Sequence, residues 1–130
     1  MNQNSREEGR RPRILIAEDQ PGVRHGLRRV LENEGYDVYE ACDGSEAVSR
    51  LKESLPDLLL VDLRMPGLDG LGVLETVRAE GWDLPVVVLS ANDDCEVAKS
   101  ALRLGARDYL LKPFDIQRVQ ESVRWHLAKP

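Results

Sequence analysis

The sequence predicts an α/β fold in which a doubly wound, five-stranded parallel sheet carries helices on both faces. Five short β-like runs alternate with five longer segments whose apolar residues recur at helical spacing. The connections are short, and three of the runs are apolar at nearly every position, which is typical of strands buried on both faces. Because each crossover between parallel strands must pass over the sheet with one hand, this alternation covers both faces with helices.

Length, composition and charge limit the classes of protein to which the chain can belong. Its 130 residues have room for one domain, and residues 1–12 are polar and charged without periodicity, so we predict a flexible N-terminal tail before a domain over residues 13–130. The net charge of -5 gives no general basic footprint for nucleic acid. No apolar run approaches the roughly 20 residues of a membrane helix, and the N-terminus lacks a signal peptide's apolar region. We therefore expect a cytoplasmic protein without membrane or direct nucleic-acid contacts.

The first half of the chain contains two strand–helix pairs. The first strand is predicted over Arg13–Ala17, and a weaker second strand over Asp37–Ala41. The amphipathic helix between them ends near Gly35, and a shorter helix is predicted over Ser45–Glu53. The apolar positions that mark the first helix are Val23, Leu27, Val30 and Leu31.

The third strand is fully apolar and ends on a carboxylate. Leu58–Val61 is too short for a helix, and Asp62 follows it, with Pro66, Gly67 and Gly70 in the turn beyond. In open α/β sheets, ligands bind in the crevice outside the carboxyl ends of the strands. A buried strand therefore delivers Asp62 to the ligand-binding edge of the sheet.

The second half of the chain continues the alternation. A helix over Leu71–Glu80 precedes a fourth strand over Pro85–Leu89, and a helix from near Asp93 to Leu104 precedes a fifth strand over Arg107–Leu111. The first, third and fourth strands are the most apolar, so we expect them at the centre of the sheet. The last helix is marked by Ile116, Val119, Val123 and Leu127.

Polar side chains stand at four of the five strand ends: Glu18, Asp19, Asp62, Ser90 and Lys112. Taken singly, each has a plain structural explanation as a helix cap, a turn residue or a surface charge. Parallel strands end at one edge, however, so the three carboxylates share a crevice and repel one another unless a cation lies among them. We expect a hard divalent cation, Mg²⁺ above all, with Ser90 and Lys112 suited to receive phosphate oxygens.

Several other kinds of site are disfavoured. The chain has no G-x-G-x-x-G after the first strand and no G-x-x-x-x-G-K-[ST] anywhere, which argues against a nucleotide fold. His25 and His126 lie inside predicted helices, which weakens a Ser-His-Asp arrangement. Cys42 and Cys95 are too few and too far apart for a zinc site or a disulfide framework.

Four motifs resemble the receiver domain of two-component response regulators, of the chemotaxis-Y kind. They are ILIAEDQ at 14–20, LLLVDLRMPGLDG at 58–70, VVVLSA at 86–91 and GARDYLLKPF at 105–114. They occur in the family's order, and the resemblance covers about residues 13–127. It implies a flavodoxin-like sheet with strand order 2-1-3-4-5.

The resemblance also implies a role for individual residues. Asp62 is the implied phosphoacceptor, and Tyr109 with Ser90 the implied switch. The Lys112–Pro113 peptide bond matches one that is cis in the family. The implied metal ligands are Glu18, Asp19, Asp62 and the backbone carbonyl of Arg64, and the implied phosphoryl-binding groups are Ser90, the Ala91 backbone and Lys112.

The function implied is that of a signalling switch rather than an enzyme with a turnover product. A sensor histidine kinase or histidine phosphotransfer protein would phosphorylate Asp62 with Mg²⁺, and the domain would assist its own phosphorylation and dephosphorylation. Phosphorylation would change the face formed by the fourth helix, fifth strand and fifth helix. A downstream effector protein or an output domain would bind this face, and dimerisation on phosphorylation is one possible outcome. Glu18 stands where Asp is frequent in the family, which favours a water-mediated metal contact. Arg64 and Asn92 occupy two positions that, by the same resemblance, tune how fast the phosphoryl group is lost.

Two alternatives stay open at this point. One is an aspartyl-phosphate phosphatase or phosphotransferase of the haloacid dehalogenase type, although such enzymes carry a second acid two residues after the nucleophile, where this chain has Arg64. The other is a degenerate receiver used only for docking, although all five pocket residues are present.

Overall fold

The computed structural model describes residues 10–91 and 95–128, and in them five strands alternate with five helices. The predicted α/β fold is confirmed. The elements are β1 (Arg13–Ala17), α1 (Pro21–Asn33), β2 (Asp37–Ala41), α2 (Gly44–Glu53), β3 (Leu58–Asp62), α3 (Gly70–Glu80), β4 (Val86–Ala91), α4 (Cys95–Arg103), β5 (Asp108–Lys112) and α5 (Ile116–Ala128).

All strand pairs are parallel, and the sheet has the order β2-β1-β3-β4-β5. The three most apolar strands are therefore its interior strands, as predicted. The register pairs Ala17 with Val61, Asp62 with Leu89, and Ala91 with Lys112. This register aligns the carboxyl ends of four strands at one edge.

Two separate cores cover the two faces of the sheet. Since successive strand side chains point to opposite faces, Leu15, Leu59 and Val61 belong to one core, and Ile14 and Leu60 to the other. The first core is completed by buried residues of α2, α3 and α4, and the second by buried residues of α1 and α5. Burial on both faces explains why residues 14–17, 58–61 and 86–89 of these interior strands are all apolar.

Two helices begin one residue earlier than predicted because an Asp caps each of them. The Asp43 side chain accepts a hydrogen bond from the Glu46 amide (2.8 Å) at the start of α2, and Asp69 accepts from Gly72 (2.9 Å) at the start of α3. Each helix therefore starts at the glycine that follows its cap.

The last two strands start later and run further than predicted. Ser90 pairs with Leu111 and Ala91 with Lys112, so the ladder continues to the polar residues instead of ending before them. Ser90 and Lys112 are accordingly strand residues whose backbones are fixed by the sheet.

Some predictions fall partly on residues outside the described ranges. Residues 1–9 of the predicted tail lie there, whereas the Pro12 carbonyl accepts a hydrogen bond from the Asp37 amide (2.9 Å). Asn92 and the predicted start of the fourth helix at Asp93 also lie outside them; the described part of α4 begins at Cys95. Within residues 10–91 and 95–128, none of the helices has the length and apolar character needed to cross a membrane.

Candidate functional site

The predicted site residues lie together at the carboxyl edge of the sheet. Asp62 is the last residue of β3, Glu18 and Asp19 form the loop after β1, and Lys112 ends β5. Glu18 and Asp62 are buried, at 0% and 4% exposure. The structure therefore joins, through the sheet, acids and a lysine that are far apart in the sequence.

Lys112 bridges two of the acids. Its Nζ lies 3.0 Å from Asp62 Oδ2 and 3.1 Å from Glu18 Oε1. Burial lowers the pKa of Lys112, but the hydrogen bond and charge of Asp62, followed by the nearby Glu18 carboxylate, outweigh this effect and raise the pKa above its ordinary value. The lysine is therefore a fixed cation at the site.

The ionised form of Glu18 is disfavoured at this site. Burial, followed by the nearby charge of Asp62, raises the pKa of the Glu18 carboxyl to about 7. Its Oε2 accepts a hydrogen bond from the Gln20 amide (3.2 Å), while its buried Oε1 has no aligned hydrogen bond within the described residues, even though the Lys112 amine is near. One lysine thus does not neutralise the group.

The three acids can converge on one ion. One oxygen each from Glu18, Asp19 and Asp62 lies within 4.8 Å of the others. Hard oxygen ligands, an excess of negative charge and an unsatisfied buried oxygen fit a divalent cation such as Mg²⁺. These residues therefore fit the metal expected from the sequence.

The loop after Asp62 is packed so closely that it requires glycine at Gly70. The Asp62 Oδ1 accepts a hydrogen bond from the Arg64 amide (3.2 Å), and the Gly70 amide donates to the Leu63 carbonyl (3.2 Å). A Cβ on Gly70 would lie 2.6 Å from the Leu63 Cα and would also collide with the Asp62 carbonyl. The sequence predicts Gly70 only as a turn residue; its position directly after the helix-capping Asp69 is the feature that could have indicated the close packing.

The predicted phosphoryl-binding and switch residues lie on β4 and β5. Ser90 is buried, and its Oγ donates to the Ala91 carbonyl (3.1 Å). Tyr109 is 39% exposed and borders a hollow of about 300 Å³ between β5 and α4. The Lys112–Pro113 peptide bond is cis.

An apolar groove of about 650 Å³ opens beside the acids, between α1 and the start of α5. Lys112 and Gln20 border it on the side of the site. Its apolar wall includes Val23, Leu27, Phe114 and Ile116. The groove thus reaches Lys112, whose amine pairs with Asp62.

Comparison with known proteins places this chain and its fold in one family. The family described as the response regulator receiver domain matches residues 14–124. The chain belongs to the response regulator receiver domain family, and it is therefore a receiver domain of two-component signalling. This family is a signalling family, which separates the chain from the dehalogenase-type phosphatases considered from the sequence.

Individual relatives support the assignment. The response regulator MprA of Mycobacterium avium (strain 104) is 43% identical over 112 residues, which cover 86% of this chain and 49% of the relative. The chain thus spans about half the length of the curated relatives it matches. A putative response regulator from Chloroflexus aurantiacus has a TM-score of 0.87 at 34% identity, covering 92% of this chain and all of that one. The receiver domain of NtrX from Brucella abortus has a TM-score of 0.86 at 31% identity, covering 90% and 99%.

Proposed function

We propose that Asp62 accepts a phosphoryl group from a sensor histidine kinase, from a histidine phosphotransfer protein or from a small phosphodonor. The observation that carries this proposal is the buried Asp62 carboxylate, held 3.0 Å from the Lys112 amine within a cluster of three acids. Phosphoryl transfer to a carboxylate requires a nucleophilic oxygen, a nearby cation and oxygens that hold a metal ion, and this cluster provides all three.

In the transfer step an Asp62 oxygen attacks phosphorus. A P–O bond forms, and the bond from phosphorus to the donor's nitrogen or oxygen breaks, with its electron pair leaving on the donor. Lys112 offsets charge on the transferring oxygens, and the Ala91 amide and the Ser90 hydroxyl donate hydrogen bonds to them. The Ser90 hydroxyl, which donates to the Ala91 carbonyl in this structure, turns toward the phosphoryl group to do so.

The proposed cofactor is Mg²⁺, held by Glu18, Asp19, Asp62 and the Arg64 backbone carbonyl. The support is the acid cluster and the unsatisfied Glu18 oxygen. Asp19 would hold the ion directly, and the longer Glu18 would hold it through water. When bound, the ion offsets negative charge on the phosphoryl oxygens.

The simplest test uses the whole chain, acetyl phosphate and Mg²⁺. Intact-mass measurement is expected to show one added phosphoryl group, which hydroxylamine removes because it cleaves acyl phosphates. A chelator in place of Mg²⁺ should prevent the addition. An unchanged mass under all conditions would favour the docking-only alternative and overturn the proposed function.

Glu18→Gln is expected to stabilise the metal-free protein at alkaline pH. A carboxyl whose folded pKa is raised binds more protons in the folded state, so its contribution to stability is intact below about pH 4.5 and is lost as the pH rises through about 7. At pH 8 the variant should therefore exceed the wild type by about 1–3 kcal/mol in the free energy of unfolding. Urea unfolding with a chelator at pH 4.5 and pH 8 measures both values.

Two comparisons control this experiment. Saturating Mg²⁺ should remove most of the advantage of Glu18→Gln at pH 8, because the ion neutralises the wild-type cluster. Asp19→Asn should weaken Mg²⁺ binding more than Glu18→Gln does, since Asp19 is the direct ligand. An equal advantage at both pH values would contradict the proposed electrostatic cause.

Phosphorylation is proposed to switch the face formed by α4, β5 and α5. When Ser90 turns toward the phosphoryl group it leaves space on the side of Tyr109, whose ring then moves inward from its half-exposed position. Moving such an equilibrium from about 1:99 to 99:1 takes roughly 5.5 kcal/mol. Contacts of the phosphoryl group with Ser90, Lys112 and the metal supply this difference together.

Ser90→Ala is expected to uncouple this face from the site. Beryllofluoride, a phosphoryl mimic, should shift the backbone amide signals of Tyr109 and Val97 in the wild type and shift them several-fold less in the variant. Ser49→Ala, which removes an exposed hydroxyl on α2, is the matched control and should behave like the wild type. Equal shifts in the wild type and Ser90→Ala would exclude Ser90 as the coupling residue.

The partners follow from this role. The protein that donates the phosphoryl group binds along the apolar groove beside Asp62. The α4–β5–α5 face is read by an effector protein, an output domain or a second copy of the chain. The receiver unit is proposed to comprise residues 13–130, and the side chain of Arg64 tunes the lifetime of the phosphorylated state.

A further inference from the structure

The loop between β1 and α1 carries two of the three acids, and it is held at several points. The Glu18 amide donates to the Ala41 carbonyl at the end of β2 (3.1 Å), and the Arg24 amide donates to the Gln20 carbonyl in the first turn of α1 (2.9 Å). A side chain from α1 also holds the loop: Arg24 Nη1 donates to the Glu18 carbonyl (2.8 Å). The loop is thus tied to β2, to its own helix and to one arginine.

The Arg24 guanidinium is itself fixed. Its Nε donates to Glu40 Oε1 on β2 (2.6 Å), and only 13% of the Arg24 side chain is exposed. Glu40 also contacts Arg28 (2.9 Å) and His25 (3.2 Å). A planar, two-pronged donor is therefore held between the sheet and the loop, in an arrangement that a lysine cannot reproduce.

We propose that Arg24 is a positioning residue for the acid cluster. The peptide bond is planar, so the arginine that holds the Glu18 carbonyl also fixes the plane that leads into Asp19. That plane sets the direction in which the two neighbouring carboxylates leave the backbone. Arg24 therefore determines how Glu18 and Asp19 face the cation, without touching it. This inference rests on the proposed Mg²⁺ site.

Arg28 provides a matched control on the same helix. It binds the same Glu40 carboxylate through Oε2 (2.9 Å), and within the described residues its hydrogen bonds go to Glu32 and Glu40 alone. Loss of Arg28 removes a charge pair with Glu40 and leaves the Glu18 carbonyl bound. Arg24 and Arg28 thus both bind Glu40, but Arg24 also binds the β1–α1 loop through the Glu18 carbonyl.

The test compares Mg²⁺ binding to the whole chain in the wild type, Arg24→Ala, Arg24→Lys and Arg28→Ala, followed by NMR shifts of amides at the site. Arg24→Ala should bind Mg²⁺ about tenfold more weakly, as is common when a group that orients a metal ligand is removed. Arg24→Lys should be intermediate, and Arg28→Ala should stay within about twofold of the wild type. In the metal-free proteins, hydrogen exchange of the Glu18 amide should accelerate in Arg24→Ala but not in Arg28→Ala.

The outcomes separate this inference from the proposed function. If the wild type binds Mg²⁺ and is phosphorylated while Arg24→Ala and Arg28→Ala bind the ion equally well, Arg24 has no positioning role and the proposed function stands. If the wild type itself binds no Mg²⁺, both fail. Should Arg24→Ala not fold, Arg24→Lys decides: affinity equal to that of Arg28→Ala overturns the inference.

Discussion

Asp62→Asn is expected to abolish phosphorylation by acetyl phosphate. The amide keeps the size of the carboxylate and an oxygen that can accept from the Arg64 amide, but it removes the nucleophile and the negative charge that pairs with Lys112. Intact-mass measurement after incubation with acetyl phosphate and Mg²⁺ should show no added phosphoryl group. The fold should persist, because replacing Asp62 also relieves its repulsion with Glu18.

The control is the same chemical change a few residues away. Asp69 lies in the loop that follows Asp62, and its side chain caps α3 through the Gly72 amide (2.9 Å). Asn caps helices about as well as Asp, so Asp69→Asn should retain both stability and phosphorylation. Full modification of Asp62→Asn, or its loss in Asp69→Asn, would show that the phosphoacceptor has been assigned wrongly.

Gly70→Ala is expected to destabilise the domain by about 2–3 kcal/mol and to impair the site with it. The new methyl group would meet backbone atoms of Asp62 and Leu63, which cannot move aside as a flexible side chain can. Either α3 shifts or the end of β3 does, and the second change displaces the Asp62 carboxylate. Urea unfolding measures the loss of stability, and the initial rate of phosphorylation measures the displacement.

Gly26→Ala is the opposite control for this change. Gly26 lies on the exposed side of α1, and a Cβ there would meet no atom within 4 Å. Because alanine has the higher helix propensity, this substitution should stabilise the protein by up to about 1 kcal/mol. Two Gly-to-Ala changes in helices of one protein should thus have opposite signs. A neutral Gly70→Ala would mean that α3 is not packed against the Asp62 backbone as described.

The sequence predicted the structure best for features that depend on the apolar pattern within a single strand or helix. The alternation of apolar runs and amphipathic segments located five strands and five helices, and the degree of apolar character identified β1, β3 and β4 as interior strands. The differences between prediction and structure lie at the ends of strands and helices. The apolar pattern predicts that the fourth and fifth strands end before Ser90 and Lys112, whereas backbone pairing includes both residues. A polar side chain ends the apolar pattern without ending the strand.

What the sequence determined by itself was which residues reach the ligand-binding edge. A strand fixes the direction of its side chains and its own polarity, so the residues that end parallel strands must gather there, and Glu18, Asp19, Asp62, Ser90 and Lys112 were found from that rule. Strand order came from the likeness of four motifs to a known family, because periodicity contains no information about which strands are neighbours.

The tertiary structure alone decided the distances and the burial. Asp62 and Lys112 are 50 residues apart in the chain, and Glu18 is further away still. Whether Lys112 reaches Asp62, Glu18 or both therefore depends on strand order and register, and the structure shows both contacts, at 3.0 and 3.1 Å. The complete burial of Glu18, the contact of Arg24 with the loop and the close approach of Gly70 to the end of β3 have the same origin. Each depends on how separate elements pack against one another, and a periodic pattern within one element cannot encode that packing.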